Sequence, residues 1–436
     1  MLEMAGPPAA WPLGSLRELG RGTLAFYRSL HRDYGDLARF HIGPIPAYLL
    51  TEPAAVLALL RDDITGLRRG LANQALQPFF GQALFFAEGA DWRARRAAFQ
   101  ATFTRNRLAR LDGVLWRRAE AWVERLASLP GGTELDLHAE VRGLLLDMAA
   151  EALIGSRLLL AQPGLREDVD ALWQEADRRT NPLGRLNPLR SARFHWSLRR
   201  LRSSVSAALT EPALEPDCLL GDLLELRRSG ESDLSLNALR DEAITFLLTA
   251  HECTTLVTAT TLYLTATPER GDALAAQARA ILASASELRP FASQLTGFHA
   301  LRQATNEAMR LFPPTWIMAR QLQRATKVLG HSLPKDALLL ISPFLLHRHP
   351  AHWREPEVFL PERFERAESP HAFLPFGAGP RTCIGRNLAL QQSLLVCTLA
   401  LCRLRLVAQR EVELPTSPGL TLRPQGGLPV QLWARA

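Results

Sequence analysis

The sequence predicts a mainly α protein with small β-sheets (α+β), organised as one domain over residues 1–436. Three observations carry this reading. Apolar residues recur at helical spacing through most of the chain. Strand-type alternation is confined to stretches near its two ends. Apolar residues make up 47% and charged residues 22%, the composition of a globular chain with a large core.

In chain order, 15–36 reads as a helix and "LARFHIGPIPAYLLT" (37–51) as a strand pair around Gly43 and Pro44. Helical spacing then runs through 52–61, 91–129, 136–160, 164–178, 192–209, 236–265, 268–285 and 296–311. Strand signals return at 325–343 and near the C-terminus, in "LRLVAQREVELPTSPGLTLRPQGGLPVQLW". The proline-containing basic stretch "RTNPLGRLNPLRSA" (179–192) reads as a connection. There is no internal repeat and no low-complexity block.

A formal charge of +7, spread as arginine through periodic segments, fits an acidic protein partner, and fits equally well no partner at all. Neither zinc spacing nor a nucleic-acid module is present, so nucleic acid is excluded as a partner. Five unpaired cysteines, with no basic-then-apolar leader and no apolar run of ~18 residues, predict a soluble, cytoplasmic monomer without a membrane span. Cys397 and Cys402 read as core residues, and Cys218 lies in a polar connection without signal.

The informative stretch is "LPFGAGPRTCIGRNLAL" (374–390). A thiol that only fills a core needs no glycines around it. Glycines on both sides of Cys383 predict a bulky object close to the main chain, and Arg381 two residues earlier predicts that the object carries negative charge. Three weaker stretches accompany it. "NEAMRLFPPTW" sets Glu307 and Arg310 on one helix face, "FLPERF" holds Arg363, and "DWRARR" sets Trp92 and Arg96 four apart. Singly these are a surface ion pair and a packing contact.

Together, and with FxxGxRxCxG complete from Phe376 to Gly385, the four stretches resemble the cytochrome P-450 superfamily from about residue 15 onward. "RLFPPTWIMARQL" and "TLRPQGGLP" are similar to bacterial carotenoid-hydroxylating members. The resemblance implies haem b with Cys383 as its thiolate ligand, which donates electron density and favours O–O cleavage. It implies that Trp92, Arg96, Arg320 and Arg381 meet the propionates, with Phe376 and Gly385 in the ligand loop. It also implies that Glu307, Arg310 and Arg363 form a buried structural cluster. His347, His349 and His352 are then read as a surface loop without metal.

The segment "EAITFLLTAHECTTLVTATTLYL" resembles the helix that crosses the distal haem face, where small–Gly–x–acid–Thr helps deliver protons to dioxygen. The register that keeps the acid gives Ala250, Glu252 and Cys253, with Cys253 replacing the usual threonine. Sliding by one instead puts Thr254 there and loses the acid. Glu252, Cys253 and Thr254 are therefore the candidate catalytic residues. Leu84–Phe86, 178–200, Ile244–Leu248, Pro314–Met318 and Gly419–Leu420 match cavity-lining segments.

The resemblance therefore implies a monooxygenase for an apolar small molecule (lipid, terpenoid/carotenoid or secondary metabolite). It would use O2 and electrons from a separate ferredoxin or flavodoxin with its reductase. Two alternatives stand beside it: a peroxide-driven or non-hydroxylating haem-thiolate enzyme, and a haem sensor.

Overall fold

The computed structural model describes residues 4–8, 12–62, 66–69, 76–77, 80–180, 191–210, 217–284, 291, 295, 297–365, 371–410 and 416–435. The helices used below are α1 (Thr23–Tyr34), α2 (Pro53–Asp62), α3 (Gly89–Thr102), α4 (Asp112–Ala127), α5 (Leu137–Ala149), α6 (Leu165–Thr180), α7 (Ser191–Thr210), α8 (Leu236–Leu264), α9 (Pro268–Ser284), α10 (His299–Leu311) and α11 (Arg386–Arg403).

The long helix α8 is the axis of the molecule. Ser235 caps it, its Oγ accepting from the Ala238 N–H at 3.1 Å. It is buried on almost every side, which explains a sequence apolar all round rather than along one stripe. It packs on α5, α11, α7 and α10. A second apolar cluster joins α2 to the sheet.

The strands are β1 (Leu37–Ile42), β2 (Ile45–Leu50), β3 (Leu67–Arg69), β4 (Thr133–Asp136), β5 (Met318–Leu322), β6 (Thr326–Val328), β7 (His331–Leu333), β8 (Leu338–Ile341), β9 (Leu404–Ala408), β10 (Thr416–Pro418), β11 (Leu422–Pro424) and β12 (Pro429–Ala434). The largest sheet has the order β1-β2-β8-β5-β3, so N-terminal strands enclose C-terminal ones. β3 runs antiparallel to β5, with Arg69 opposite Arg320.

Several sequence expectations change in detail. The 15–36 helix is broken at Gly22. The 91–129 pattern is three helices, interrupted near Phe103 and Arg110. The 136–160 pattern passes into a π-turn at Ala150–Ile154 and ends at Gly155. Strands β3, β4 and β5 are too short to show alternation and were not expected. Leu219–Arg228 is a further unexpected helix. Cys218, read as lying in a featureless connection, is buried and caps it through Sγ, which accepts from the Gly221 N–H. Of the 179–192 connection, residues 181–190 lie outside the described residues, as do 411–415. Among the described residues no helix is long and apolar enough to cross a membrane.

Candidate active site

The ligand loop is shaped before α11 begins. The Cys383 N–H donates to Phe376 O at 2.9 Å, and the Gly377 N–H to Leu374 O at 3.1 Å. Gly377 and Gly379 have φ of +70° and +71°, a region only glycine occupies without strain. The two do different work. A Cβ at Gly379 would come within 1.9 Å of Leu60 O, so this glycine lets the loop press onto α2. Gly385 has ordinary φ and caps α11, with open room for a Cβ 3.9 Å from Cys383 Sγ. Positive φ thus marks tight turning at Gly377 and Gly379 and not at Gly385.

Cys383 is exposed because its thiol opens onto a cavity of about 1150 Å³, although protein surrounds it on its other sides. That exceeds the roughly 300–1,000 Å³ of a small-molecule site, leaving room for a large cofactor as well as a substrate. Burial pushes the thiol pKa up. Backbone N–H groups of Gly385 and Arg386 and the charge of Arg96 pull it down. These groups favour a thiolate whose proton is replaced by a metal.

Five arginines line the same cavity: Arg178, which pairs with Glu175, and Arg69, Arg96, Arg320 and Arg381. Arg381 pairs with Glu88, donates to Ala87 O and lies 4.7 Å over the Trp92 ring. Burial and the neighbouring Arg381 lower Arg320 to about 10. Burial, then Arg320 and Arg381, lower Arg69 to about 9. The Arg69 Nε is buried without a hydrogen-bond partner, and its guanidinium stacks 3.9 Å over Phe85. Guanidinium groups that outnumber the nearby Glu88 carboxylate favour an anion among them. Two propionates beside a thiol fit this arrangement, so the residues present suit a haem.

Sequence reading found Trp92, Arg96, Arg320, Arg381, Phe376 and Gly385, and all of them line this cavity. It missed Arg69, which follows another arginine in a three-residue strand and gives no local signal. Only the register of β3 against β5 places it beside Arg320.

On the distal wall, α8 turns Glu242, Phe246, Thr249, Cys253 and Val257 to the cavity at helical spacing. Thr254 also lines it, though it is only 2% exposed. Burial, then the charges of Cys383 and Glu252, push Cys253 up to about 12, so it is a neutral thiol. Glu252 does not line the cavity. Its Oε1 accepts from Arg423 Nε at 2.6 Å and its Oε2 from Arg142 Nε at 3.2 Å. Burial alone would raise its pKa; Arg423, His251 and Arg142 outweigh it and hold the carboxyl at about 2. Asp177, also paired with Arg423, does reach the cavity, and burial raises its pKa.

Behind the ligand loop, Glu307 accepts from Arg310 at 2.7 and 2.8 Å, from Arg363 Nε at 3.1 Å and from the Leu360 N–H at 2.9 Å. Arg310 also donates to the carbonyls of His347, Pro356 and Val358. His347 and His349 are buried, contrary to the surface-loop expectation. His347 Nε2 accepts from the Leu374 N–H at 2.9 Å, and burial lowers its pKa to about 3, so it stays a neutral acceptor. The Nε2 of His349 meets Asp36 at 2.9 Å, and its Nδ1 accepts from the Ala351 N–H. That bond fixes the proton on Nε2, which leaves no lone pair there for a metal.

Comparison with known proteins agrees with this geometry. The family model described as Cytochrome P450 matches residues 4–430. Cyclooctatin synthase of Streptomyces melanosporofaciens is 28% identical over 96% of this chain and 91% of its own length. Cyclooctat-9-en-7-ol 5-monooxygenase of the same organism is 30% identical, covering 90% and 87%. Cytokinin hydroxylase of Arabidopsis thaliana is 27% identical, covering 94% and 83%.

Proposed function

The chain belongs to the cytochrome P450 family and is a haem-iron monooxygenase; from that premise we propose that it holds haem b and oxygenates an apolar, terpenoid-like substrate with electrons from a separate ferredoxin or flavodoxin. The observation that carries the reading is the Cys383 thiol sharing one cavity with Arg69, Arg96, Arg320 and Arg381, of which Arg381 pairs with Glu88. When bound, the cofactor supplies oxygen activation and electron storage.

The chain's own residues do the rest. Cys383 would hold the haem iron through its thiolate. Arg69, Arg96, Arg320 and Arg381 would hold the propionates, Arg381 with Trp92 as its platform. The Leu84, Phe246 and Trp316 side chains make an apolar wall that excludes water and favours a hydrophobic substrate. Cys253 Sγ and Thr254 Oγ1 are the proton-bearing atoms of the distal wall beside Val257. Glu252, fixed as an anion, orders Arg142 and Arg423; Asp177, on the same Arg423, is the acid of that network with access to the cavity. The terpenoid class draws support from two relatives named for cyclooctatin chemistry. The basic balance of the chain suits an acidic electron donor.

Cys253 also favours a second reading, in which added peroxide drives turnover, because a thiol donates and accepts hydrogen bonds only weakly. The test has two arms. The reduced carbon monoxide complex of the purified protein should show the red-shifted Soret band of thiolate ligation, and Cys383→Ser should abolish it. Product formation with NAD(P)H and a ferredoxin or flavodoxin system is then compared with that from peroxide alone. A band retained in Cys383→Ser removes the ligand assignment; turnover with peroxide only establishes the second reading.

A further inference from the structure

Glu242 is the second-turn carboxyl of α8, fully buried and part of the cavity wall. One oxygen is committed: Oε1 accepts from the Leu84 N–H, tying the loop before α3 to the distal helix. Asp241 does the same for the Gln82 N–H at 3.0 Å. The other oxygen of Glu242, Oε2, is buried and has no hydrogen-bond partner. A buried polar atom left unpaired is costly, and native structures keep few of them.

The neighbouring hydroxyls on the same face of α8 cannot donate to a ligand oxygen. Thr245 Oγ1 donates to Asp241 O and Thr249 Oγ1 donates to Thr245 O, both at 2.7 Å. Their protons are used within the helix. The cavity that Glu242 borders is lined on this side of α8 by Phe246 and two threonines whose protons are spent, and also by Leu76, Phe80, Leu84 and Phe103. One unspent carboxyl oxygen among these side chains selects for one polar group on an apolar ligand.

We infer that Glu242 is the polar anchor of the substrate cavity, taking a neutral oxygen function, a hydroxyl or carbonyl, at the end of the ligand remote from the oxidised carbon. This rests on the monooxygenase reading. Eleven residues separate Glu242 from Cys253, about 16 Å along the helix axis. The ligand is therefore long or polycyclic, and already oxygenated at its far end. In a reaction sequence, an earlier hydroxylation, hydration or ketone-forming step supplies it.

The protonation state fits. Burial, with Asp241 and Asp91, raises the Glu242 carboxyl to about 8, against the opposing Leu84 N–H and Arg95. The charged groups facing it are Asp241 on α8, itself bonded to Arg240 and near Arg202 of α7, and Asp91 and Arg95 of α3, which bond each other. Below pH about 8 the group is neutral and can donate its proton to a ligand oxygen.

Soret-shift titrations of the haem-loaded protein with 1-dodecanol, 2-dodecanone and dodecane test the assignment. Wild type should prefer the two oxygenated probes over dodecane by about three- to tenfold, the worth of one buried hydrogen bond. Glu242→Leu should erase that preference and leave dodecane binding intact. In Glu242→Gln the amide oxygen can still accept from Leu84, so the loop is kept. In wild type the ketone preference should fade as pH rises through about 8, because the donor proton is lost while an alcohol can still donate to the carboxylate. Glu242→Gln should remove that pH dependence, which keeps the test decisive if the leucine variant does not fold. A wild type with no preference, or a preference that survives in Glu242→Leu or titrates unchanged in Glu242→Gln, overturns the anchor. A protein without the thiolate carbon monoxide band overturns instead the function on which it rests.

Discussion

Glu307→Ala is the sharpest test of how the fold holds the ligand loop. Glu307 and Arg310 are fully buried and Arg363 is 5% exposed. Removing the carboxylate deletes four hydrogen bonds and leaves the Arg310 guanidinium buried without its counter-charge. Breaking such a pair from one side costs about 3–5 kcal/mol. At roughly 2.1 cal/mol/K per residue the unfolding entropy of a chain this long is about 0.9 kcal/mol/K, so the melting temperature should fall by about 3–5 °C. The loss also reaches the site. Arg310 grips His347 O, and His347 grips the Leu374 N–H at the start of the ligand loop. Thermal unfolding, haem content and the carbon monoxide spectrum are read together. The exposed pair Arg228–Glu225, at 3.8 Å, is the control: Glu225→Ala should cost about 0–1 kcal/mol and no haem. Glu307→Gln, which keeps an acceptor but no charge, should fall between. A Glu307→Ala protein with full haem and a melting point within about 1 °C of wild type would refute the reasoning.

Arg69→Leu should speed transfer of haem to an acceptor apoprotein by about ten- to a hundredfold, the worth of a charged hydrogen bond; an unchanged rate removes Arg69 from the anion site. Cys253→Thr should raise the coupling of NAD(P)H use to product several-fold and lower the peroxide released, with substrate affinity little changed. If wild type is already tightly coupled and the variant is neutral, the proton path runs through Thr254 or bypasses both. Glu252 sits at about 2 instead of 4.5, so the folded state favours its anion. Its contribution to stability is complete above pH about 4.5 and declines as pH falls towards 2. The stability gap between wild type and Glu252→Gln should shrink on acidification below pH about 4.5; a gap that grows there contradicts the ion-paired network.

The Cys383 loop was readable because its chemistry is contiguous: turn glycines, thiol and arginine lie within ten residues. Glu307 and Arg310 were readable because one helical turn brings them together. Arg363 needed the family resemblance, since nothing local joins "PERF" to α10. The burial of His347 and His349 was not readable at all. A histidine-rich connection looks polar in sequence, and only its packing against Arg310, Asp36 and Leu374 hides it.

Local spacing thus determined the mainly α class, the glycine-flanked Cys383 loop and the stripe of α8 that carries Cys253, because turn geometry and helical periodicity act over a few residues; the resemblance alone implied a haem thiolate there. Tertiary structure decided what those faces meet. The pairing of β3 with β5 adds Arg69 to the anion site. The approach of Arg142 and Arg423 locks Glu252 as an anion away from the cavity, and the loop at Leu84 takes one oxygen of Glu242 and leaves the other. Each is a contact between residues far apart in sequence, and the charge state of a buried group depends on those contacts rather than on its neighbours along the chain.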